Sequence, residues 1–293
     1  PLTVRESGAS WIRSAFPGNR IPRDRHDPVA TNAMKYFPEP NVAPANIYTN
    51  LNNFFAVGTT PSDSYRIDAR VDQNWSARWR MFARVSVGGN KERAVDHFRN
   101  GASPTGGGPV DGASRNVSLD HTVTLSPTLL ANFRYGFGRI YSQQMPFSDG
   151  FDLVSLGFPQ SYQDAAVEGR QFPRLDLSGF SSLGQIGFIR FTNAGMVHSL
   201  SGSVTKIFPG HQIKIGGEYR KLLLNYAQFG FPSGGFSFGV AWTQEDILRP
   251  NALAGFSLAS FLLGLPGADR SIMRTPPRRQ ARITPAIFRT IGK

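Results

Sequence analysis

Polar and apolar side chains alternate with a period of two residues through the middle of this chain. Arg66, Asp68, Arg70 and Asp72 alternate with Ile67, Ala69 and Val71. Successive side chains of a β-strand point to opposite faces, so the pattern predicts a strand with one charged and one apolar face. After a short polar break around Ser76, Arg80 and Arg84 alternate with Met81, Ala83 and Val85, apart from Phe82. These two runs predict a β-hairpin.

The same pattern predicts two further hairpins. One covers 116–138 and turns at 126–128, and the other covers 199–220 and turns at 208–210. Both turns contain a proline, which favours turns and cannot donate a hydrogen bond within a sheet. Alternating aromatic residues at 236–242 predict one more strand.

Strand length and loop length together favour a transmembrane barrel over a soluble β-sandwich. The predicted strands reach or exceed the ~9–11 residues that cross a tilted bilayer. Short turns at 75–77, 126–128 and 208–210 alternate with long segments at 88–113 and 142–195, so all short turns lie at one end. Outer-membrane barrels have this arrangement, with short periplasmic turns and long extracellular loops. The longest apolar stretch, 251–265, is too short for a spanning helix of roughly 20 residues.

Composition excludes some chemistry. The 293 residues include 31 glycines and no cysteine, so disulfides and thiolate metal sites are excluded. The net charge of +12 could indicate nucleic-acid binding, but the arginines are spread along the chain and cluster only at 274–282. We therefore expect no nucleic-acid partner.

No catalytic, cofactor or metal site is predicted, and we do not expect an enzyme. The five histidines lack metal-ligand spacing. His121 and His198 share a strand face with apolar neighbours, which favours a packing or interface role. Asp68 and Asp72 resemble a carboxylate pair, but interleaved arginines favour a ladder of charges.

In a wide barrel the charged face lines a water-filled lumen, whereas in a soluble domain it faces bulk water. Alternation alone fits both cases, and the barrel interpretation rests on strand length and loop asymmetry. The residues predicted to face the lumen are Arg66, Asp68, Arg70, Asp72, Arg80 and Arg84.

Several short segments occur in a fixed order along residues 20–265. They read IPRDRHDPVA (21–30) and YFPEPN (36–41), NNF (52–54) with the 66–86 hairpin, SPTL (126–129) with FRYG (133–136), SLGFP (155–159), TKI (205–207) with GGEYR (216–220), and ASFLLG (259–264). In this order they resemble the Oar-like TonB-dependent receptors.

This resemblance implies TonB-dependent import of an unidentified solute across the cell outer membrane. Members of that family carry a signal peptide, a plug domain with a TonB box and a barrel of about 22 strands. The implied partners are outer-membrane lipid and lipopolysaccharide, the solute, and the TonB complex through a plug domain absent from this chain. The chain also opens without a signal peptide, so we expect a fragment that does not transport alone.

The expected fold is therefore all-β, an incomplete antiparallel transmembrane barrel with long extracellular loops. Residues 1–62 are predicted to be a loop or insert with little regular structure, 63–265 a partial barrel, and 266–293 a basic irregular tail. A soluble secreted adhesin or carbohydrate-binding module is the alternative, and a basic nucleic-acid-binding protein is a third hypothesis. Lys91, Arg93, Arg99 and Arg170 in the long loops are either solvated or in contact with lipopolysaccharide phosphates.

Overall fold

The computed structural model describes residues 4–7, 10–48, 50–166, 169–246, 249, 251, 254–270 and 278–292. Its strands are β1 (Val4–Ser7), β2 (Ser10–Arg13), β3 (Ser62–Ser76), β4 (Trp79–Glu92), β5 (Val110–Ser126), β6 (Leu129–Gln144), β7 (Arg174–Leu177), β8 (Phe191–Phe208), β9 (His211–Gln228), β10 (Gly235–Phe238), β11 (Ala268–Arg270) and β12 (Arg278–Gly292). Its α-helices are α1 (Pro28–Ala33), α2 (Gln160–Ala165) and α3 (Ser257–Leu262). Single 3-10 turns lie at Pro17–Asn19, Arg23–Arg25, Met34–Tyr36, Val154–Leu156 and Ala241–Thr243.

One antiparallel sheet of seven strands dominates the fold, in the order β12-β9-β8-β6-β5-β4-β3. Its strands are 14 to 18 residues long, which exceeds the length needed to cross a bilayer. Within the described residues, β3 and β12 are the two edges of this sheet and do not pair with each other. None of the helices described is long and apolar enough to span a membrane.

In each of the three predicted hairpins a two-residue turn connects the two strands, at 77–78, 127–128 and 209–210. The residues that close them are paired as Ser76 with Trp79, Ser126 with Leu129, and Phe208 with His211. Gly210 has a φ of 79°, a left-handed conformation that favours glycine. The three hairpins predicted from the alternation are confirmed.

The strand predicted at 236–242 does not join the main sheet. Residues Gly235–Phe238 form the short strand β10, which pairs with β7 and β11 in a separate three-stranded sheet. Phe238 is buried, and its ring packs edge-on against Phe261 with 5.0 Å between centroids. The aromatic alternation therefore reflects a small core outside the main sheet.

Part of the C-terminal region predicted to be irregular is a strand. Arg278–Gly292 pairs with β9 along most of its length, whereas 271–277 lie outside the described residues. Pro285 falls in a register shift between Thr284 and Ile287. An edge strand tolerates proline at such a bulge because no ladder donor is needed there.

The long loops and part of the N-terminal region form a packed unit, which we call the loop cap (27–37, 93–109, 145–166, 169–190, 229–246 and 254–264). Its buried core consists of Ala30, Ala33, Ala102, Leu156, Phe172, Leu175, Leu177, Leu183, Phe238 and Phe261. The Asp27 carboxylate caps α1 by accepting a hydrogen bond from the Ala30 amide at 2.9 Å. The Asp27 amide donates to the Leu262 carbonyl at 2.8 Å, which ties α1 to α3. Residues 1–62 thus contain a capped helix. The division of the chain into three regions stays a prediction.

A glycine in the loop cap offers a test of its packing. Gly184 has a φ of 76°, and a Cβ there would collide with the Pro173 carbonyl, whereas Gly179 has a φ of 83° and open space around it. We expect Gly184→Ala to lower the local unfolding free energy of the cap by about 1–3 kcal/mol more than Gly179→Ala. Hydrogen exchange of the Leu175 and Leu183 amides, which bond to each other's carbonyls, measures this difference. Equal exchange in the two variants would contradict the packing described.

Candidate functional site

Strand register brings the six predicted lumen-facing residues onto one face of the β3–β4 hairpin. Asp68 lies opposite Ser86, and Arg70 lies opposite Arg84. We call this the charged face, and the opposite surface of the same strands the apolar face. The charged face carries Arg66, Asp68, Arg70 and Asp72 on β3, Arg80, Arg84 and Ser86 on β4, Asn116, Ser118 and Asp120 on β5, Asn132 and Arg134 on β6, Ser199, Ser201 and Ser203 on β8, and Glu218 and Arg220 on β9.

Asp68 is the centre of a cluster that joins two strands. Its carboxylate accepts hydrogen bonds from Arg66 Nε at 2.9 Å and from Arg84 at 2.8 Å. The Ser86 hydroxyl also donates to it. Each guanidinium has a fixed, planar set of donors, so these contacts hold the three charged side chains in one arrangement.

Arg70 forms a second cluster beside the first. Its guanidinium donates two hydrogen bonds of 2.7 Å to Asp72. Its Cζ also lies 4.4 Å from the centroid of the Phe82 ring, a cation–π contact. This contact explains why Phe82 interrupts the polar alternation. Arg80 is exposed and, within the described part of the chain, has no ion-pair partner.

The charged face continues onto strands whose residues were not selected from the sequence. Asp120 is buried and accepts hydrogen bonds from Arg134 Nε at 2.7 Å and Asn132 Nδ2 at 2.9 Å. On β9, Arg220 pairs with Glu218 at 2.6 Å. These residues belong to the same period-two pattern, and aligning the predicted hairpins at their turns would have placed them on this face.

The charged face offers side chains that can bind polar or charged molecules. No cluster of three or more metal-ligating side chains occurs among the described residues. The arginines and carboxylates are mostly exposed, so they are accessible from the water on that side. Exposed ion pairs of this kind exchange partners at little cost, which suits weak and reversible contact with polar or charged molecules.

The apolar face consists mainly of aliphatic and aromatic side chains. It carries Ile67, Val71, Met81, Ala83, Val85, Val117, Leu119, Val123, Phe133, Tyr135, Phe137, Leu200, Val204, Ile213, Ile215 and Tyr219. His121 and His198 lie on this face, as predicted. His121 Nδ1 accepts a hydrogen bond from Trp79 Nε1 at 3.2 Å, and His198 Nδ1 lies 2.9 Å from the Tyr135 hydroxyl. Both histidines therefore find polar partners among aromatic neighbours.

A family model described as an outer membrane beta barrel domain matches residues 1–289. This chain belongs to that family. No curated protein and no solved structure matches the chain. As a member of the outer membrane beta barrel family, the protein is located in the outer membrane, and its antiparallel sheet is a barrel wall that is not closed in the structure. The predicted fold class and location are confirmed, and the location disfavours a soluble secreted module.

The burial of Asp120 makes it the carboxylate on the charged face whose loss matters most for stability. We expect Asp120→Ala to lower the free energy of unfolding by about 1–3 kcal/mol, because two donors lose a buried charged acceptor. Asp72→Ala is the matched control, since the Asp72 side chain is 60% exposed and its pair with Arg70 is open to solvent. Urea unfolding in detergent micelles, followed by tryptophan fluorescence, compares the two. A larger loss for Asp72→Ala would contradict this account of the charged face.

Proposed function

We propose that this chain forms part of the wall of an Oar-like, TonB-dependent outer-membrane transporter, with the charged face lining the path of the solute. The observation that carries the proposal is the separation of side chains by face on strands long enough to cross the membrane. The order of sequence segments shared with the Oar-like receptors supports the choice of transporter type.

The orientation of the two faces follows from the cost of placing each one in lipid. Large apolar side chains on the apolar face are open, with Ile67, Val71 and Ile215 each more than 60% exposed. Placing them in hydrocarbon gains about 25 cal/mol for each Å² removed from water. A charged side chain on the lipid face costs up to about 2–4 kcal/mol at the bilayer midplane. The charged face therefore lines the lumen in this proposal.

Aromatic residues at the short-turn end support the same orientation. Trp79 lies on the apolar face, and its ring is 5.7 Å from that of Trp75. Phe208 closes another short turn. Tryptophan and other aromatic side chains favour the membrane–water interface, where an apolar ring and a polar group are both accommodated.

The charged face favours a solute that is anionic or rich in hydrogen-bonding groups. Its arginines at 66, 70, 84, 134 and 220 are paired with carboxylates, whereas Arg80 has no carboxylate partner among the described residues. An unpaired, exposed guanidinium can bind a carboxylate or phosphate with two hydrogen bonds. The loop cap lies at the end of the long loops, so a solute arriving from outside would meet it first.

Dependence on TonB is tested without knowing the solute in advance. Deleting the gene for this chain and inactivating TonB should each leave the same solutes in the spent growth medium. Metabolite profiling of wild type, the deletion strain and the TonB-deficient strain measures this overlap, and the deletion complemented with the gene is the control. TonB-dependent transport would be contradicted if solutes stayed in the medium of the deletion strain but none of them stayed in the medium of the TonB-deficient strain.

Charge reversal on the charged face tests its role in the solute path. Arg84→Glu replaces a partner of Asp68 with a second negative charge, so we expect uptake of the identified solute to fall about tenfold or more. Arg78→Glu at the short turn makes the same change of charge outside the path and should leave uptake unchanged. Outer-membrane levels of both variants should match the wild type. Failure of Arg84→Glu to fold or insert would contradict the lumenal placement.

A further inference from the structure

Two arginines lie on the apolar face, apart from the ion pairs described above. Arg115 on β5 and Arg139 on β6 are directly opposite each other in the antiparallel register. Both are exposed. Their neighbours across the sheet are Val87 on β4 and Met196 on β8. This pair of positive charges lies among mainly apolar side chains, with Lys221 on the same face in the next row toward the short turns.

Among the described residues, this pair has no carboxylate next to it on its own face. The described strands β3, β4, β5, β6, β8 and β9 carry no carboxylate on the apolar face between these arginines and the short turns. Toward the long loops, the nearest carboxylates are Asp63 and Asp111, and both lie opposite Lys91. Like charges directly opposite on a sheet are destabilising. An anion bound between the two guanidinium groups would remove that repulsion.

The position of Arg115 and Arg139 along their strands corresponds to one edge of the membrane. Arg115 precedes the end of β5 at Ser126 by eleven residues, and Arg139 follows the start of β6 at Leu129 by ten. With a rise of about 3.3 Å per residue and a tilt of about 40°, both lie about 25–28 Å from the short-turn end. The apolar band of an outer-membrane barrel is about 25 Å tall. The arginines therefore lie at the headgroup level on the side of the long loops.

We infer that Arg115 and Arg139 bind a phosphate group of lipopolysaccharide, the phosphorylated glycolipid of the outer leaflet. Guanidinium groups match phosphate oxygens with paired hydrogen bonds, and two of them on neighbouring strands can share one phosphate. The acyl chains of the same lipid would lie along Val117 and Phe137, which occupy the next row toward the short turns. This inference rests on the proposed orientation of the two faces, with the apolar face toward lipid.

Native mass spectrometry of the full chain folded in detergent micelles tests the inference by counting retained lipid. The probes are lipid A with its phosphates, dephosphorylated lipid A, and inorganic phosphate. The test variant is Arg115→Gln with Arg139→Gln. The control is a loop variant, Arg23→Gln with Arg25→Gln, which removes two exposed positive charges from a 3-10 turn of the N-terminal region.

We expect the strand variant to bind phosphorylated lipid A at least about tenfold more weakly than wild type, and the loop variant to bind it normally. Removing the phosphates from lipid A should weaken its binding to the wild type. This loss should equal the loss that the strand variant shows with phosphorylated lipid A. Arg115→Lys with Arg139→Lys keeps both charges and should give intermediate binding, which tests the inference if the glutamine variant does not fold. Inorganic phosphate should not compete at equal concentration. Equal losses in the strand and loop variants, no loss in the strand variant, or full competition by inorganic phosphate would each overturn the inference.

A separate readout distinguishes failure of this inference from failure of the proposed orientation. Val117→Cys places a single thiol on the apolar face, because the native chain has no cysteine. In bilayers it should be protected from a water-soluble maleimide if that face meets lipid. Protection together with unchanged lipid A binding in the strand variant would overturn the lipid site alone. Rapid labelling would overturn the orientation on which the site depends.

Discussion

The hydrogen-bonded ladder of the main sheet is the constraint on which the rest of the structure depends. In hydrocarbon no water is available, so each backbone N–H and C=O group must be paired within the protein. The strands β4, β5, β6, β8 and β9 meet this requirement because each pairs with a neighbour on both sides. The ladder also determines register, and register determines which side chains share a face. A shift of one residue would move Asp120 and Arg134 to the apolar face.

The two faces use arginine in different ways. On the charged face, Arg66 and Arg84 share Asp68, so each positive charge has a neutralising partner nearby. On the apolar face, Arg115 and Arg139 oppose each other without such a partner among the described residues. An exposed ion pair contributes little stability, but it keeps the charged face polar and close to neutral. The like-charged pair instead repels itself, and in our proposal a lipopolysaccharide phosphate would neutralise it.

The main sheet was largely predictable because its side-chain period, its turns and its loop lengths are all local features of the sequence. The six selected charged residues were placed on one face correctly, but Asp120 and Arg134 were not selected, since their pairing depends on register between separate hairpins. Phe82 had no explanation until Arg70 was seen to lie over its ring. The basic C-terminal tail was predicted to be irregular, and only the sheet shows that Pro285 occupies a bulge on an edge strand. The loop cap brings together α1, β7 and α3 from distant parts of the chain, and no local pattern encodes such contacts.

The most direct test of the account is a nitroxide scan along β5 in lipid bilayers. With no native cysteine, each variant from 117 to 124 carries one label, and oxygen and a water-soluble nickel complex report exposure to lipid and water. The account predicts a period of two, with Val117, Leu119 and Val123 accessible to oxygen, and Ser118 and Thr122 accessible to nickel. Nickel access at the odd-numbered positions, or no alternation at all, would contradict the claim that this sheet is a barrel wall with its charged face turned away from lipid.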